Sequence, residues 1–238
     1  MNYSFSLILP VQNQAEIISK VVNKIVKVLK ENKINYQLVM VENGSKDKTL
    51  SVLKQLASKN NRIKIITSRI GYGQAVVYGL NQAQGKYLCY MPSDGQCDEK
   101  VLGKVFQVIQ KRGVDLVKVY RTSRESALRK NVSINFNLLA NMLFFLMVWD
   151  INASPTCFKK TELNKLNLQA KDSFLDTELL IKAKFLKWKI IRIPMQNFNR
   201  VGGKSTVKPP IVFEFLKNML DWRFSHKLLN WKNEIHQL

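Results

Sequence analysis

Short apolar runs alternate with longer helical patterns through the first half of the chain. Between the runs, apolar residues recur three or four positions apart, as they do across residues 16–32, and this spacing predicts helices. The apolar runs have the length and residue types of buried strands and lie at residues 5–11, 36–41, 62–67, 87–91 and 115–120. Strands joined by helices predict an α/β fold with a mostly parallel central sheet and helices on both of its faces.

Four residues mark the ends of these predicted strands. Pro10, Glu42, Asp94 and Arg121 each fall at or just past the carboxyl end of an apolar run. In open α/β sheets, ligands bind in the crevice beyond the carboxyl ends of the strands. We therefore expect the functional site of this chain at that edge of the sheet.

The second half of the chain is less regular. Residues 123–149 follow a helical pattern that becomes strongly apolar, and residues 211–229 set apolar positions against several basic ones, which predicts an amphipathic, cationic helix. The remaining elements are a helix, a strand and a glycine- and lysine-containing loop, at residues 174–187, 189–195 and 200–208. We therefore divide the chain into a main domain, residues 1–208, and a C-terminal helical extension, residues 209–238.

The charge of the chain narrows the class of its partners. Among 238 residues, 38 are Lys or Arg and 17 are Asp or Glu, which gives a net charge of +21. Such a field favours anionic partners: nucleic acid, an anionic membrane surface or phosphate-bearing substrates. No helix-turn-helix or RNA-binding signature accompanies the charge, so nucleic acid is the least favoured of these. The cysteines, Cys89, Cys97 and Cys157, are too few and scattered for a disulfide framework, which favours a cytoplasmic location.

The longest apolar stretch bears on membrane attachment. It runs over residues 138–149, is interrupted by Asn141 and falls short of the about 20 residues of a spanning helix. Apolar faces flanked by Lys and Arg, in residues 137–149 and 211–229, suit an anionic interface and predict peripheral attachment to the cytoplasmic membrane face. The alternatives for residues 138–149 are core packing or the contact of a homodimer.

Two segments near the predicted strand ends are candidates for binding a cofactor or a metal. Gly71-Tyr72-Gly73 lacks the third glycine of a dinucleotide fingerprint and follows the third strand, so a plain strand-to-helix turn is the simpler interpretation. Asp94, with Gln96 close by, supplies oxygen ligands of the kind that hard divalent cations prefer. An ordinary Asp-Gly turn competes with that interpretation.

Two further segments carry charge in the second half. Asp176 and Glu178 stand two apart at the start of a predicted helix, where Asp176 is either a general base or the helix N-cap. Arg200, Lys204 and Ser205 combine cations with a flexible backbone, which suits phosphate oxygens, a solvated loop being the alternative.

Taken in order, these segments resemble the inverting glycosyltransferases of family 2, which have the GT-A fold. The resemblance is to the branch of dolichyl- and polyprenyl-phosphate mannose or glucose synthases. It rests on motifs that match residues 8–16, 41–49, 71–79, 92–96, 150–159, 176–179 and 200–205. The fold that it implies is a Rossmann-like, mostly parallel sheet covered by helices, here followed by the amphipathic extension.

The resemblance implies an enzyme that takes a sugar from a UDP- or GDP-linked donor, with Mg²⁺ or Mn²⁺ as cofactor. The residues that would bind the base and ribose of the donor are Pro10, Gln12, Gln14 and Glu42. Those that would hold the metal on the diphosphate are Asp94 and Gln96, and phosphate groups would contact Arg121 and Arg200. The phosphate of an acceptor would contact Arg129, Lys204 and Ser205.

The resemblance leaves the acceptor open. A polyprenyl phosphate or other lipid-linked phosphate needs no strong base, whereas a sugar hydroxyl of a surface polysaccharide needs a carboxylate, for which Asp176 or Glu178 is the candidate. The chain also departs from the family pattern, since Pro92 stands at the first Asp of the Asp-x-Asp motif and Gln12 and Gln14 replace a Tyr and a Glu. A degenerate homologue that binds nucleotide-sugar without turnover is therefore a third interpretation.

Overall fold

The computed structural model describes residues 2–122, 127–196 and 209–236, without the side chains of residues 127–133, 135, 209–215 and 236. Its strands are β1 (Phe5–Val11), β2 (Tyr36–Glu42), β3 (Ile63–Thr67), β4 (Tyr87–Tyr90), β5 (Leu116–Arg121), β6 (Thr156–Lys159) and β7 (Ile190–Met195). They form one sheet in the order β3-β2-β1-β4-β6-β5-β7. Only β6 runs antiparallel to its neighbours among these described strands. The mostly parallel α/β sheet predicted from the sequence is confirmed.

The helices lie on both faces of this sheet. They are α1 (Ile18–Glu31), α2 (Thr49–Lys59), α3 (Tyr72–Gln82), α4 (Val101–Ile109), α5 (Ala127–Phe144), α6 (Leu163–Leu166), α7 (Leu175–Phe185), α8 (Pro209–Phe224) and α9 (Lys227–His236). Side chains of α1, α2 and α4 form one apolar cluster, and side chains of α3, α5, α7 and α8 form another. Along β1, Leu7 and Leu9 point into the first cluster and Ile8 into the second, because successive side chains of a strand alternate between faces.

Helix α1 shows how the sequence produces this arrangement. Its buried side chains recur three or four positions apart, at Ile18, Val21, Val22, Ile25, Val28 and Leu29. That spacing keeps them on one side of an α-helix, so the whole stripe packs against the sheet. Burying each such side chain stabilises the fold by about 1.5–3 kcal/mol.

The second half departs from the sequence prediction in three elements. Strand β6 was not expected, and it enters the sheet between β4 and β5. Helix α5 ends at Phe144 rather than continuing to residue 149, because Phe145 and Met147 have positive φ angles of 52° and 56° that a right-handed helix excludes. The single helix expected over residues 211–229 is divided in two, and the Ser225 hydroxyl accepts a hydrogen bond from the Lys227 amide at the start of α9.

Both C-terminal helices contact the rest of the protein. Met219 and Trp222 of α8 are buried in the second apolar cluster. Trp231 of α9 is also buried, and its indole Nε1 donates a hydrogen bond to the Lys165 carbonyl at 2.9 Å. The division of the chain at residue 208 stays a prediction, since residues 197–208 lie outside the described part. No helix in that part combines the length and the apolar character needed to cross a membrane.

Candidate active site

The carboxyl ends of β1 and β2 are tied together and to the start of α3. The side-chain amide of Gln12 donates to the Asn43 carbonyl at 2.8 Å. The side-chain oxygen of Asn43 in turn accepts the amide of Gly71 at 3.1 Å. Glu42, the last residue of β2, is buried and accepts the Ser45 amide at 2.5 Å. Two of the predicted donor-binding residues, Gln12 and Glu42, therefore lie in one bonded cluster at the expected edge of the sheet.

Gln14 joins the same cluster and has an unsatisfied oxygen. Its backbone amide donates to the Thr49 hydroxyl at 2.8 Å. Its side-chain oxygen is buried without a hydrogen-bond partner. Among the described side chains, the same is true of one oxygen each of Asn152 and Thr177. A buried acceptor without a partner costs about 1–3 kcal/mol. A hydrogen-bond donor on a bound ligand, such as a base amino group or a ribose hydroxyl, would satisfy the Gln14 oxygen.

Asp94 lies in the loop that follows β4 and is held against the end of β1. The hydroxyl of Ser93 donates to the Pro10 carbonyl at 2.7 Å, which fixes the loop to β1. The Asp94 carboxylate is buried and accepts the backbone amide of Gln96 at 3.2 Å. Pro10, Asp94 and Gln96 are thus brought together as the sequence predicted.

The residues around Asp94 fit a divalent cation only with help from a ligand. The described residues contain no group of three or more His, Cys, Asp or Glu side chains arranged to hold a metal ion. Mg²⁺ commonly binds through one or two protein carboxylates together with substrate phosphates. Asp94, with Gln96 beside it, fits that pattern, provided that diphosphate oxygens complete the coordination.

Arg121, the last residue of β5, is fixed by an ion pair. Its Nε lies 3.0 Å from one carboxylate oxygen of Asp150 and its Nη2 lies 2.5 Å from the other. Burial lowers the pKa of Arg121, but the hydrogen bond and charge of Asp150 more than offset this and raise it. The guanidinium therefore stays charged, in one fixed orientation at the carboxyl edge of the sheet.

The buried thiol of Cys97 interacts electrostatically with both Asp94 and Arg121. Burial, followed by the charge of Asp94, raises the pKa of Cys97 well above its ordinary value, while Arg121 acts in the opposite direction. The neutral thiol donates to the Ser154 carbonyl at 3.3 Å. Both charged side chains therefore influence the same sulfur atom.

Tyr72 belongs to this region, although sequence reasoning did not select it. It is the first residue of α3, and burial together with the charges of Asp176 and Asp94 raises the pKa of its phenol well above the ordinary value. The phenol is therefore neutral near pH 7 and able to donate a hydrogen bond. The signal in the sequence was its place between Gly71 and Gly73, a segment that drew attention only for its glycines.

The glycines beside Tyr72 permit a close approach of two loops. Gly71 has a φ of 139°, a backbone conformation that L side chains rarely adopt. A Cβ at Gly73 would lie 2.4 Å from the Ala170 carbonyl oxygen and 2.5 Å from that of Asp172. The loop of residues 169–172 thus covers the start of α3. Gly71 and Gly73 themselves lie where the chain passes from β3 into α3.

Asp176 is buried in an ion pair rather than placed at the helix cap. Its carboxylate accepts hydrogen bonds from Lys118 Nζ at 2.8 Å and from the Tyr90 hydroxyl at 2.9 Å. Lys118 also donates to the Ala153 carbonyl and the Thr156 hydroxyl, at 2.8 Å and 3.0 Å. The N-cap residue of α7 is Phe174, and no side chain forms a capping hydrogen bond at that helix start. Both Lys118 and Tyr90 therefore bond the same carboxylate oxygen of Asp176, Oδ1.

Glu178 is also buried and paired. Its carboxylate lies 2.5 Å from Lys182 Nζ and accepts the backbone amides of Gln169 and Ala170 at 2.9 Å and 2.7 Å. Burial lowers the pKa of Lys182, and the charge and hydrogen bond of Glu178 oppose that effect. Because Ala170 covers Gly73, Glu178 supports the loop that shapes the start of α3.

The paired lysines are the residues that sequence reasoning missed most completely. Lys118 is the one cation inside the buried part of β5, and Lys182 lies in the buried part of α7. A charge in an otherwise apolar buried segment requires an internal partner, which was the available signal. The sequence alone does not say which carboxylate provides it.

The predicted phosphate-binding residues of the second half are not all described. Arg200, Lys204 and Ser205 lie outside the described residues, and Arg129 is placed on α5 without a described side chain. Their assignment to donor or acceptor phosphates stays a prediction.

Comparison with known families and proteins gives matches at the sequence level. A family model described as glycosyl transferase family 2 matches residues 6–171. A dolichol-phosphate mannosyltransferase of Pyrococcus furiosus is 26% identical over 244 residues, covering 98% of this chain and 66% of that protein. An uncharacterized glycosyltransferase of Bacillus subtilis, YkcC, is 28% identical over 143 residues, covering 58% of this chain and 44% of that protein. The chain thus spans less than two thirds of the length of these relatives.

Solved structures match the fold. Glucosyl-3-phosphoglycerate synthase of Mycobacterium tuberculosis, in complex with Mn²⁺, UDP and glucosyl-3-phosphoglycerate, superposes with a TM-score of 0.71 at 16% identity. The match covers 93% of this chain and 80% of that one. The same protein in complex with phosphoglyceric acid gives a TM-score of 0.70 at 17% identity. These likenesses confirm the GT-A architecture expected from the sequence.

Proposed function

Because this chain belongs to glycosyl transferase family 2, we propose that it transfers a hexosyl group from a nucleotide-sugar to a polyprenyl phosphate or another lipid-linked phosphate. The transfer inverts the anomeric carbon and takes place at the cytoplasmic membrane face. The name of the Pyrococcus relative, a dolichol-phosphate mannosyltransferase, supports the lipid phosphate. The UDP in complexes of the structural neighbour supports a nucleotide-linked donor.

The choice of acceptor rests on one observation: Asp176 and Glu178 are each paired with a buried lysine. A sugar hydroxyl must lose its proton to a base as it attacks, and a carboxylate already held by a buried lysine and by further donors is poorly placed for that task. A phosphate monoester is anionic near pH 7, since its second pKa is about 6, and it attacks without a base. The geometry therefore favours a phosphate acceptor over a polysaccharide hydroxyl.

The donor would bind along the ends of β1, β2 and β4. Pro10, Gln12, Gln14 and Glu42 would hold the base and ribose, and the unpartnered Gln14 oxygen gives that site one specific hydrogen-bond acceptor. Arg121, oriented by its bidentate pair, would bind a phosphate of the donor, and Arg200 would add a second cation.

Asp94 and Gln96 would hold Mg²⁺ or Mn²⁺ together with the diphosphate. The metal supplies positive charge that offsets the charge developing on the leaving nucleoside diphosphate. The Tyr72 phenol, whose pKa burial and then the charge of Asp176 raise, would donate a hydrogen bond to the same leaving group. Mn²⁺ in a complex of the structural neighbour supports a divalent cation in this fold.

The first experiment is a thermal-shift panel of UDP and GDP, each with and without Mn²⁺. A ligand at 100 times its Kd stabilises the fold by about 2.7 kcal/mol, which is readily measured. We expect a shift with one nucleotide that grows when Mn²⁺ is added. No shift with either nucleotide would support the degenerate, non-catalytic interpretation instead.

The second experiment assays transfer with UDP-glucose and GDP-mannose. The acceptors are a polyprenyl phosphate and the matching polyprenol in detergent, which differ only in the phosphate. We expect glycosylated product from the phosphate alone. Product from the polyprenol, or from a polysaccharide acceptor and not from the lipid phosphate, would overturn the proposed acceptor.

A further inference from the structure

The described part of the outward face of α5 is apolar. Ile134, Leu138 and Met142 are exposed and stand four residues apart, so they form one stripe along the helix. The outward face of a helix on a globular protein ordinarily carries polar and charged side chains. In addition, residues 126–149 contain no Asp or Glu. An apolar stripe in an acid-free segment calls for a partner that covers it.

The stripe continues into a loop that we name the apolar tip, residues 145–149. Phe145, Met147 and Trp149 are 68%, 85% and 54% exposed, and they alternate with the buried Leu146 and Val148. The alternation indicates a segment with one side anchored in the protein. Three large apolar side chains therefore project together into solvent.

The tip is held in this form by the protein beneath it. The side-chain amide of Asn141 donates to the Val148 carbonyl at 2.9 Å, and its oxygen accepts the Val148 amide at 3.1 Å. Phe145 and Met147 have positive φ angles, which side chains of this size rarely adopt. A conformation so constrained, which exposes apolar groups, is typical of a functional surface.

Two cations bracket the tip. Lys184 donates to the carbonyls of Phe144 and Phe145, and its Nζ lies 5.6 Å from the centre of the Phe145 ring. At the other end, Arg192 donates to the Trp149 carbonyl at 3.0 Å. Both basic side chains are exposed. The exposed apolar groups thus have positive charge directly beside them.

Helix α8, which contacts α5, carries a second stripe of the same kind. Leu216, Leu220 and Phe224 are exposed and again four residues apart. The opposite side of α8 is buried through Met219 and Trp222. The helix is therefore apolar on its inner face and along part of its outer face.

We propose that the apolar tip and the stripes of α5 and α8 form a docking surface for an anionic lipid bilayer, into which Phe145, Met147 and Trp149 insert. Aromatic and apolar side chains flanked by Lys and Arg are the composition that binds at an anionic interface. A second copy of this chain fits less well, because a two-fold contact across the tip would bring Lys184 and Arg192 of both copies into one interface, where like charges repel. This docking does not depend on the proposed transfer reaction.

Sedimentation with vesicles tests the proposal. The probes are vesicles of phosphatidylcholine alone and of equal parts phosphatidylcholine and phosphatidylglycerol. The variant is Met147→Glu, and its matched control is Leu50→Glu on α2, which replaces an exposed apolar residue on the other side of the sheet. We expect binding to the anionic vesicles only, weakened about tenfold or more by Met147→Glu and about twofold or less by Leu50→Glu.

Fluorescence reports on insertion directly. Of the four tryptophans, Trp149 is exposed, Trp188 is half-buried, and Trp222 and Trp231 are buried. Emission should shift to shorter wavelength on anionic vesicles, and the shift should disappear in Trp149→Phe, which still sediments with them.

Three results would overturn the proposal. The first is equal sedimentation of Met147→Glu and the wild-type protein, and the second is sedimentation without a change in Trp149 emission. The third is a dimer in light scattering that Met147→Glu dissociates, with no vesicle binding, which would make a second copy the occupant. The nucleotide thermal shift needs no vesicles, so it reports separately on the proposed function.

Discussion

Replacing Asp176 by Asn separates the two roles open to this carboxylate. Asn has nearly the shape of Asp but lacks the charge that faces Lys118 Nζ at 2.8 Å. Lys118 is buried, and its other partners, the Ala153 carbonyl and the Thr156 hydroxyl, are neutral. The substitution therefore leaves a buried ammonium without a counter-charge.

The expected loss of stability follows from that pairing. Removing one partner of a buried ion pair costs about 3–5 kcal/mol. The side-chain amide introduced by Asp176→Asn keeps one acceptor oxygen, so we expect the lower end, about 3 kcal/mol. In a protein of 238 residues, each kcal/mol lowers Tm by about 2–4 °C. The Tm of Asp176→Asn should thus fall by about 6–12 °C.

The assay is a double-mutant cycle followed by thermal and urea unfolding. It compares Asp176→Asn, Lys118→Met and the variant with both substitutions. Either single change leaves one buried charge unpaired, whereas the double change removes both charges. We therefore expect the double variant to lose less stability than the sum of the two single losses. Transfer activity is measured well below the lowest Tm.

The outcome that refutes this reasoning is a folded Asp176→Asn protein with unchanged Tm and no turnover. That result would make Asp176 a general base and would restore the sugar hydroxyl as acceptor. Strict additivity of the two single losses would likewise show that Lys118 and Asp176 do not stabilise each other.

Three further changes test the neighbouring parts of the site. Gly73→Ala would place a Cβ 2.4 Å from the Ala170 carbonyl oxygen, so the free energy of unfolding in urea should fall by about 1–3 kcal/mol. Asp94→Asn should abolish the additional thermal shift that Mn²⁺ gives in the presence of nucleotide. The shift that the nucleotide causes in EDTA should remain. Arg121→Lys keeps the charge but loses the bidentate contact with Asp150, so the KM for the donor should rise more than kcat falls.

The architecture was predictable because the spacing of apolar residues along the chain reflects which side chains are buried. The strands and helices of the first half bury whole faces, and the spacing of apolar residues states which face each one buries. Strand β6 was not predictable in this way, because it has only four residues and owes its place to pairing with strands far away in sequence. Cys157 lies opposite Cys89 in that pairing, and no spacing along the chain records such a contact.

The site was predictable to a similar extent. The rule that strand ends meet at one edge brought Pro10 and Asp94 together, and the hydrogen bond from Ser93, beside Asp94, to the Pro10 carbonyl of β1 agrees with it. The partners of the carboxylates were not predictable, because Lys118 reaches Asp176 across 58 residues of chain. Lys182 differs, because it lies four residues from Glu178 on the same helix, and side chains at that spacing are neighbours on the helix surface.

The proposed membrane surface and the proposed active site meet at a single peptide bond. Trp149 belongs to the apolar tip, and Asp150, the next residue, holds Arg121 at the carboxyl edge of the sheet. Two asparagines of α5 fix this junction, since Asn141 bonds Val148 on the tip side and the Asn137 oxygen accepts the Ile151 amide on the site side at 2.8 Å.

Such a junction gives a lipid phosphate a short route to the site. With the tip inserted as proposed, the Arg121–Asp150 pair would lie close to the headgroup region, where the phosphate of a polyprenyl chain would lie while its tail stays among the lipids. A soluble hydroxyl acceptor gains nothing from this arrangement, because it needs no membrane to reach the edge of the sheet. The apolar tip and the paired carboxylates are independent features of the chain: the tip favours an acceptor bound to a membrane, and the paired carboxylates favour an anionic one.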